Sequence, residues 1–278
     1  MSYDGMVATH YSADKGEGLG QAILDALTAD GVDIDNLTLM DIAPVDAFHV
    51  GGWEATERMG QALDLAVGMK IVDLGSGLGG TARQLAATHG CYVSGVDLTG
   101  EYCRVATMLA TRLGLADQVS FHEANALDTP FPDAGFDAGY TQHAAMNIPD
   151  KAGLYAEAAR ILKPGAAFCV YDIAKGPGDS AIFPAPWARD PAASFLATMD
   201  EMVEALRGAG FAIESARDHS EQARAIFRQR IAAMDSKGPP RLGFHLMLGP
   251  IHREMTRNQM RNFQEDRVAL VEIVCRKA

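Results

Sequence analysis

A short apolar run that breaks into glycines constrains this chain more than any other stretch. Ile71-Val-Asp-Leu-Gly-Ser-Gly-Leu-Gly-Gly80 carries an acid two residues before its first glycine and further glycines at 77, 79 and 80. The run predicts a buried strand that ends in a tight turn. Beyond it, Ala82, Leu85 and Ala86 recur at helical spacing, so the unit reads strand, turn, helix. A glycine turn lets backbone approach a ligand closely, and the helix start offers N–H groups that have no partner inside the helix.

The alternation continues down the chain. Strands are predicted at Tyr92–Val96, Gln118–His122 and from Phe136 toward Gln142, then after Leu162-Lys-Pro-Gly165, near Phe211–Ile213 and over Val268–Cys275. Helices fall between them, among them Glu101–Leu113 and Phe195–Gly208. Such alternation implies a parallel sheet covered on both faces. Asp97 closes the second strand 22 residues beyond Gly75, near the spacing at which an acid meets a ribose hydroxyl pair, although it also suits a helix N-cap. Gly75, Gly77 and Gly80 satisfy the dinucleotide pattern G-x-G-x-x-G, so a nicotinamide-dependent oxidoreductase is one reading. Asp73 argues against it. A carboxylate beside the loop repels a pyrophosphate and tolerates the ammonium and sulfonium of S-adenosylmethionine.

Asp73, Gly75, Gly77 and Gly79 together resemble motif I, D-x-G-x-G-x-G, of class I S-adenosylmethionine-dependent methyltransferases. Residues 43–210 resemble more narrowly the sarcosine and dimethylglycine N-methyltransferase-like proteins, through Ala144-Ala-Met-Asn-Ile-Pro-Asp-Lys151 and Phe183-Pro-Ala-Pro-Trp-Ala-Arg189. The resemblance implies an α/β fold, a Rossmann-like doubly wound seven-strand sheet with an antiparallel last strand, a helical N-terminal lead-in and a C-terminal lid insertion. It also implies cofactor contacts from Asp73, Gly75, Ser76, Gly77, Gly79, Asp97 and Leu98, from Asn125, Ala126 and Leu127 near the adenine, and from Gln142 near the amino-acid end. Asn125 stands where the relatives have Asp, and its amide oxygen can still accept from the adenine amine. Asn147 stands where the phosphoethanolamine enzymes have His, so their His-based mechanism does not carry over. Tyr11 is matched to their lid tyrosine.

Sulfonium methyl transfer is an in-line displacement, so the protein must hold the acceptor close to the methyl group and exclude water. An amine must be neutral to attack. His143, just past the fourth strand, is therefore the candidate base, with Tyr11 the second catalytic candidate. Substrate contacts are expected at Asn147, Trp187, Arg189 and His245. An amino-acid acceptor needs a cation for its carboxylate, for which Arg189, Arg241, Arg253 and Arg257 are eligible, and Trp187 offers a ring face to a methylated ammonium. The expected acceptor is a small molecule bearing an amine nitrogen, sarcosine-like or dimethylglycine-like. Oxygen, carbon and sulfur acceptors stay open, since one fold serves them all.

The 278 residues divide, on this reading, into an arm and helical lead-in (1–66), a cofactor-binding core (67–218), a lid or homodimer interface (219–264) and a last core strand (265–278). Met247, Met255 and Met260 would give a lid a pliable lining. A net charge of −12 opposes nucleic acid or an anionic membrane as partner. Four scattered cysteines without a C-x-x-C pair, and no apolar run of about 18 residues, fit a cytoplasmic protein. No metal is expected, because no carboxylate or Cys completes a ligand set with His245 and His252. The hydrolase elbow G-x-S-x-G and the phosphate loop G-x-x-x-x-G-K-[ST] are absent.

Overall fold

The computed structural model describes residues 18–237 and 240–278, so the expectation for Tyr11 lies outside the described residues. Among the described residues three helices precede the sheet: α1 (Leu19–Ala29), α2 (Leu39–Asp46) and α3 (Gly52–Ala62). The chain continues through β1 (Lys70–Leu74), α4 (Gly80–His89), β2 (Tyr92–Asp97), α5 (Gly100–Arg112), β3 (Val119–Glu123) and β4 (Phe136–Gln142). Then come α6 (Lys151–Ile161), β5 (Leu162–Lys175), α7 (Met199–Gly208) and β6 (Phe211–Asp218). Helices α8 (Ser220–Lys237), α9 (His245–Leu248) and α10 (His252–Gln264) lead to β7 (Val268–Lys277).

Local chemistry explains where several elements start and stop. Helix α7 begins at Met199 rather than Phe195, because Thr198 caps it: its hydroxyl accepts from the Glu201 N–H while the Glu201 carboxylate accepts from the Thr198 N–H. This capping box satisfies two otherwise orphaned donors and leaves 195–198 extended. Gly249, with φ of +74°, separates α9 from α10 as the Gly-Pro step suggests. The Pro-Gly step at 164–165 sits where the register between β4 and β5 shifts.

The seven strands lie in the order β3-β2-β1-β4-β5-β7-β6. Pairings from β3 across to β5 are parallel, and β7 runs antiparallel between β5 and β6. This is the class I methyltransferase arrangement, and the antiparallel ending is one a dinucleotide domain does not predict. The chain turns away from β1 in both directions, to β2 on one side and β4 on the other, and the carboxyl ends of such strands open a crevice.

Alternate residues of β1 feed two cores. Ile71 packs with Leu85, Val93 and Met59 on one face, while Val72 packs with Phe168, Leu206 and Ile273 on the other. Each such buried side chain contributes about 1.5–3 kcal/mol, which fixes the sheet on which the crevice rests. Helices α8 and α10 pack together through Phe227 and Phe263, 5.6 Å between ring centroids, and share a cluster with Tyr171 and Leu270 of the sheet. The stretch between β6 and β7 thereby folds back toward the crevice. Among the described residues no helix is long and apolar enough to cross a membrane.

Candidate functional site

The turn after β1 is built from backbone. The Gly75 and Ser76 N–H groups both donate to the Val96 carbonyl at 2.9 Å, and the Gly77 N–H donates to Asp97 Oδ2 at 2.8 Å. Asp97 Oδ1 accepts from the Thr99 N–H, also at 2.8 Å, so the glycine turn and the second strand's acid form one hydrogen-bonded unit. Gly75 has φ of +94°, and a Cβ there would stand 2.2 Å from Ala144 Cβ, where the chain leaves β4. Only glycine lets the two loops touch.

This turn opens onto a cleft of about 930 Å³, counting its mouth. Asp73, Gly75, Ser76, Gly77, Asp97, Leu98, Asn125, Ala126 and Gln142 all line it, which is nine of the eleven cofactor residues expected from sequence. Gly79 and Leu127 do not. Gly79 serves packing instead, since a Cβ there would stand 2.3 Å from the Phe121 ring, and Leu127 packs against the core while its N–H donates to Asn125 Oδ1 at 2.9 Å. That bond engages one lone pair of the Asn125 oxygen expected to meet adenine.

Several polar groups in the cleft lack partners. Ser76 Oγ and Gln142 Nε2 are buried with none, although Gln142 Oε1 accepts from Thr81 Oγ1 at 2.6 Å. Buried polar atoms are nearly always paired, so these two mark places for a polar ligand. Asp73 is 2% exposed and accepts from the Tyr140 hydroxyl at 2.8 Å. Burial pushes its pKa up to about 7, despite that bond, and the Asp97 charge adds to the rise. A cation placed beside it would restore its ionisation.

Two histidines stand where the cleft leaves β4. His143 holds φ of +54°, its N–H donates to the Tyr171 carbonyl at 2.9 Å, and its buried Nε2 has no partner. The His49 ring lies 6.2 Å away, centroid to centroid. His49 Nε2 donates to the Gly52 carbonyl at 3.0 Å, with Thr56 Oγ1 at 3.1 Å. A carbonyl only accepts, so the proton sits on Nε2 and the lone pair on Nδ1. Burial lowers the His49 pKa to about 4 and that of His143 well below the usual imidazole value. Both rings are therefore neutral near pH 7. A buried ion pair between Arg83 and Asp46 ties the end of α2 to α4, and Arg83 also donates to the Leu78 carbonyl at 2.6 Å. This tie sets where Phe48 and His49 emerge.

Past the histidines a second cavity, about 500 Å³, shares Phe48, His49 and His143 with the first. Trp187, Phe227, Phe244, Arg230 and Gln259 wall it. A third, outer cavity adds Trp53, His245 and His252, and shares His49, Arg230 and Phe244 with the second. Of the expected substrate residues, Trp187 lines the second cavity and His245 the outer one, while Arg189 lines none of the three. Asn147 lines the cofactor cleft, but its Nδ2 donates to the Trp187 and Ala193 carbonyls at 2.8 and 2.9 Å, which gives it a positioning role. Arg241 and Arg257 face outward in ion pairs with Asp30 and Asp235. Met247, Met255 and Met260 pack rather than line these cavities: Met247 and Met255 are buried, and Met260 lies against the core. Among the described residues no group of His, Cys, Asp and Glu is placed to hold a metal ion.

His49 and Arg230 were not singled out from sequence. Nothing local distinguishes the His49 ring, and Arg230 looks like one more charge on a polar helix.

Residues 72–170 match a family model described as a methyltransferase domain. S-adenosylmethionine is the methyl donor of such domains, and the match spans β1 through most of β5, the part of the sheet that carries the glycine turn and His143. A sterol 24-C-methyltransferase of Gibberella zeae is 38% identical over 105 residues, 38% of this chain and 28% of that protein. An O-methyltransferase of Aspergillus sclerotiorum is 35% identical over 139 residues, 45% of this chain and 53% of that one. The chain thus spans about a quarter to a half of these curated relatives. The solved geranyl diphosphate C-methyltransferase of Streptomyces coelicolor superposes with a TM-score of 0.73 at 19% identity, over 100% of this chain and 99% of that one, which is a likeness of fold.

Proposed function

We propose that the protein transfers a methyl group from S-adenosylmethionine to a small-molecule acceptor held in the cavity beyond His143. The observation that carries this is the adjacency of the two spaces: the polar cleft on the glycine turn and the apolar cavity beyond are both lined by Phe48, His49 and His143. The residues of the cleft suit the cofactor. Asp97 presents a carboxylate for ribose hydroxyls, Asp73 and the unpartnered Gln142 Nε2 suit its amino-acid end, and Ala126 with Asn125 borders the adenine. Bound there, the cofactor supplies a methyl group already activated by a sulfonium.

The protein's part is then placement and proton handling. Trp187, Phe227 and Phe244 exclude water around the acceptor. The neutral imidazole of His143, whose Nε2 has no protein partner, holds the base function for an acceptor that must lose a proton, with His49 beside it. A neutral base at pH 7 suits an amine that binds as its ammonium form, so the finer reading is an amine nitrogen of a sarcosine-like compound. Incubation with labelled methyl donor and matched amine, hydroxyl and thiol acceptors tests it. Label on amines alone supports this reading, whereas label on the hydroxyl or thiol acceptors alone removes the amine and keeps methyl transfer.

A further inference from the structure

The cavity beyond His143 contains a cation, Arg230, that has no counter-charge among the described residues. Arg230 lies one helical turn after Phe227 on α8, and its guanidinium carbon stands 5.5 Å from the Phe227 ring centroid and 5.3 Å from that of Phe244. Among the described residues it makes no hydrogen bond or ion pair with another side chain. Burial pulls its pKa down with no neighbouring charge to offset it. Other arginines of this stretch pair with acids instead, Arg224 with Glu221 and Asp266, Arg257 with Asp235, and Arg241 with Asp30; Arg228 and Arg253 line none of the three cavities.

Among the described residues no Asp or Glu lines the cavity, in a chain whose acids outnumber Lys and Arg by 36 to 24. Arg230 is half-buried between two aromatic rings, and a guanidinium so placed with no acid beside it is better satisfied by a ligand that brings the charge. An independent observation points the same way. Gln259 on α10 lines the same cavity, is 2% exposed, and its Oε1 has no donor among the described residues. Such a buried, unpaired acceptor calls for a donor from a bound molecule.

Building on the methyl-transfer reading, we infer that the acceptor is an amphipathic anion: a carboxylate or phosphate held by Arg230, an apolar body between Trp187, Phe227 and Phe244, and the methylated atom toward His143. The planar guanidinium offers forked donors that match either anion. Arg230 also lines the outer cavity, so the charged end of the acceptor lies toward solvent and its reacting end inward. A donor group on the acceptor, an amine or a hydroxyl, satisfies Gln259.

The test titrates octanoate, octyl phosphate and octan-1-ol into the full chain saturated with S-adenosylhomocysteine, and again without it. One of the two anions is expected to bind at least about tenfold tighter than the alcohol, and the ratio of the anions identifies which group Arg230 prefers. Arg230→Gln should bring anion and alcohol within about threefold of each other, while Arg230→Lys keeps part of the preference. S-adenosylhomocysteine affinity should stay within about threefold in both variants, which shows that they fold. Should Arg230→Gln fail to fold, Arg230→Met, of similar length, takes its place. Equal binding of anion and alcohol by the native chain, binding of none of the probes, or an anion preference that survives Arg230→Gln overturns the inference. Failure of the native chain to bind S-adenosylhomocysteine removes the methyl-transfer reading instead, and the titrations without it still decide whether Arg230 holds an anion.

Discussion

The two halves of the cleft are built by different means. The cofactor half is mostly backbone, drawn from one strand-turn-helix unit and the ends of its neighbours, with Gly77 N–H bound to Asp97 and Gly75 touching Ala144. The acceptor half is mostly side chain, gathered from His49, His143, Trp187, Arg230 and Gln259, which lie far apart in sequence. A backbone site tolerates few residue types, whereas a side-chain site changes its ligand with a single substitution while the sheet stays intact. One half is thus tied to one cofactor, and the other is free to differ among proteins of one fold.

The largest expected effect strikes the cofactor half alone. Asp97→Ala removes the acceptor of both the Gly77 and Thr99 N–H groups. Hydrogen bonds to a charged group contribute about 1.5–3 kcal/mol each, so S-adenosylhomocysteine affinity should fall at least about 100-fold by calorimetry. Anion probes should bind as before, and a parallel loss of both would show that the halves are not separate. Next comes His143→Gln, where the methyl-transfer rate should fall about 100-fold or more with cofactor affinity nearly unchanged. An unaltered rate in a pH profile would relieve His143 of the base function.

A smaller effect concerns acid stability. The folded His49 pKa, about 4, lies below the ordinary 6.5, so its neutral form stabilises the fold above pH 6.5 and that contribution is lost as pH falls toward 4. Asp73, raised to about 7, acts in the opposite sense, and its contribution declines as pH rises from 3.8 toward 7. His49→Gln should therefore flatten the loss of stability between pH 6.5 and 4, measured as urea midpoints across that range. A steeper loss would contradict the burial of His49 as a neutral ring. The smallest effect belongs to neither half: Thr198→Ala breaks the α7 capping box and should cost about 1 kcal/mol in urea unfolding, with both binding events unchanged.

How much was legible in sequence follows the same divide. The strand, the glycines and Asp97 declare themselves because their constraints act within a few residues, and the β-branched run at 268–275 announced the closing strand. The capping box of Thr198 and Glu201 was also written in the chain, and it places the start of α7 better than apolar spacing does. Arg230 was not legible. Arg228-Gln-Arg230 on a polar helix resembles a solvated face, and only the return of α8 over the sheet turns that one guanidinium inward between two rings. The role of Asn147 was only partly legible, since its place at the cleft follows from its position while the binding of its amide hydrogens to the Trp187 and Ala193 carbonyls appears only in the folded chain.

The most direct measurement is calorimetric titration of the protein with S-adenosylhomocysteine and, separately, with NADH. One equivalent of S-adenosylhomocysteine is expected to bind and NADH to give no heat, with the first signal lost in Asp97→Ala. Binding of NADH alone, or of neither compound, would contradict it, because the cleft around Asp73 and Asp97 would then serve another ligand.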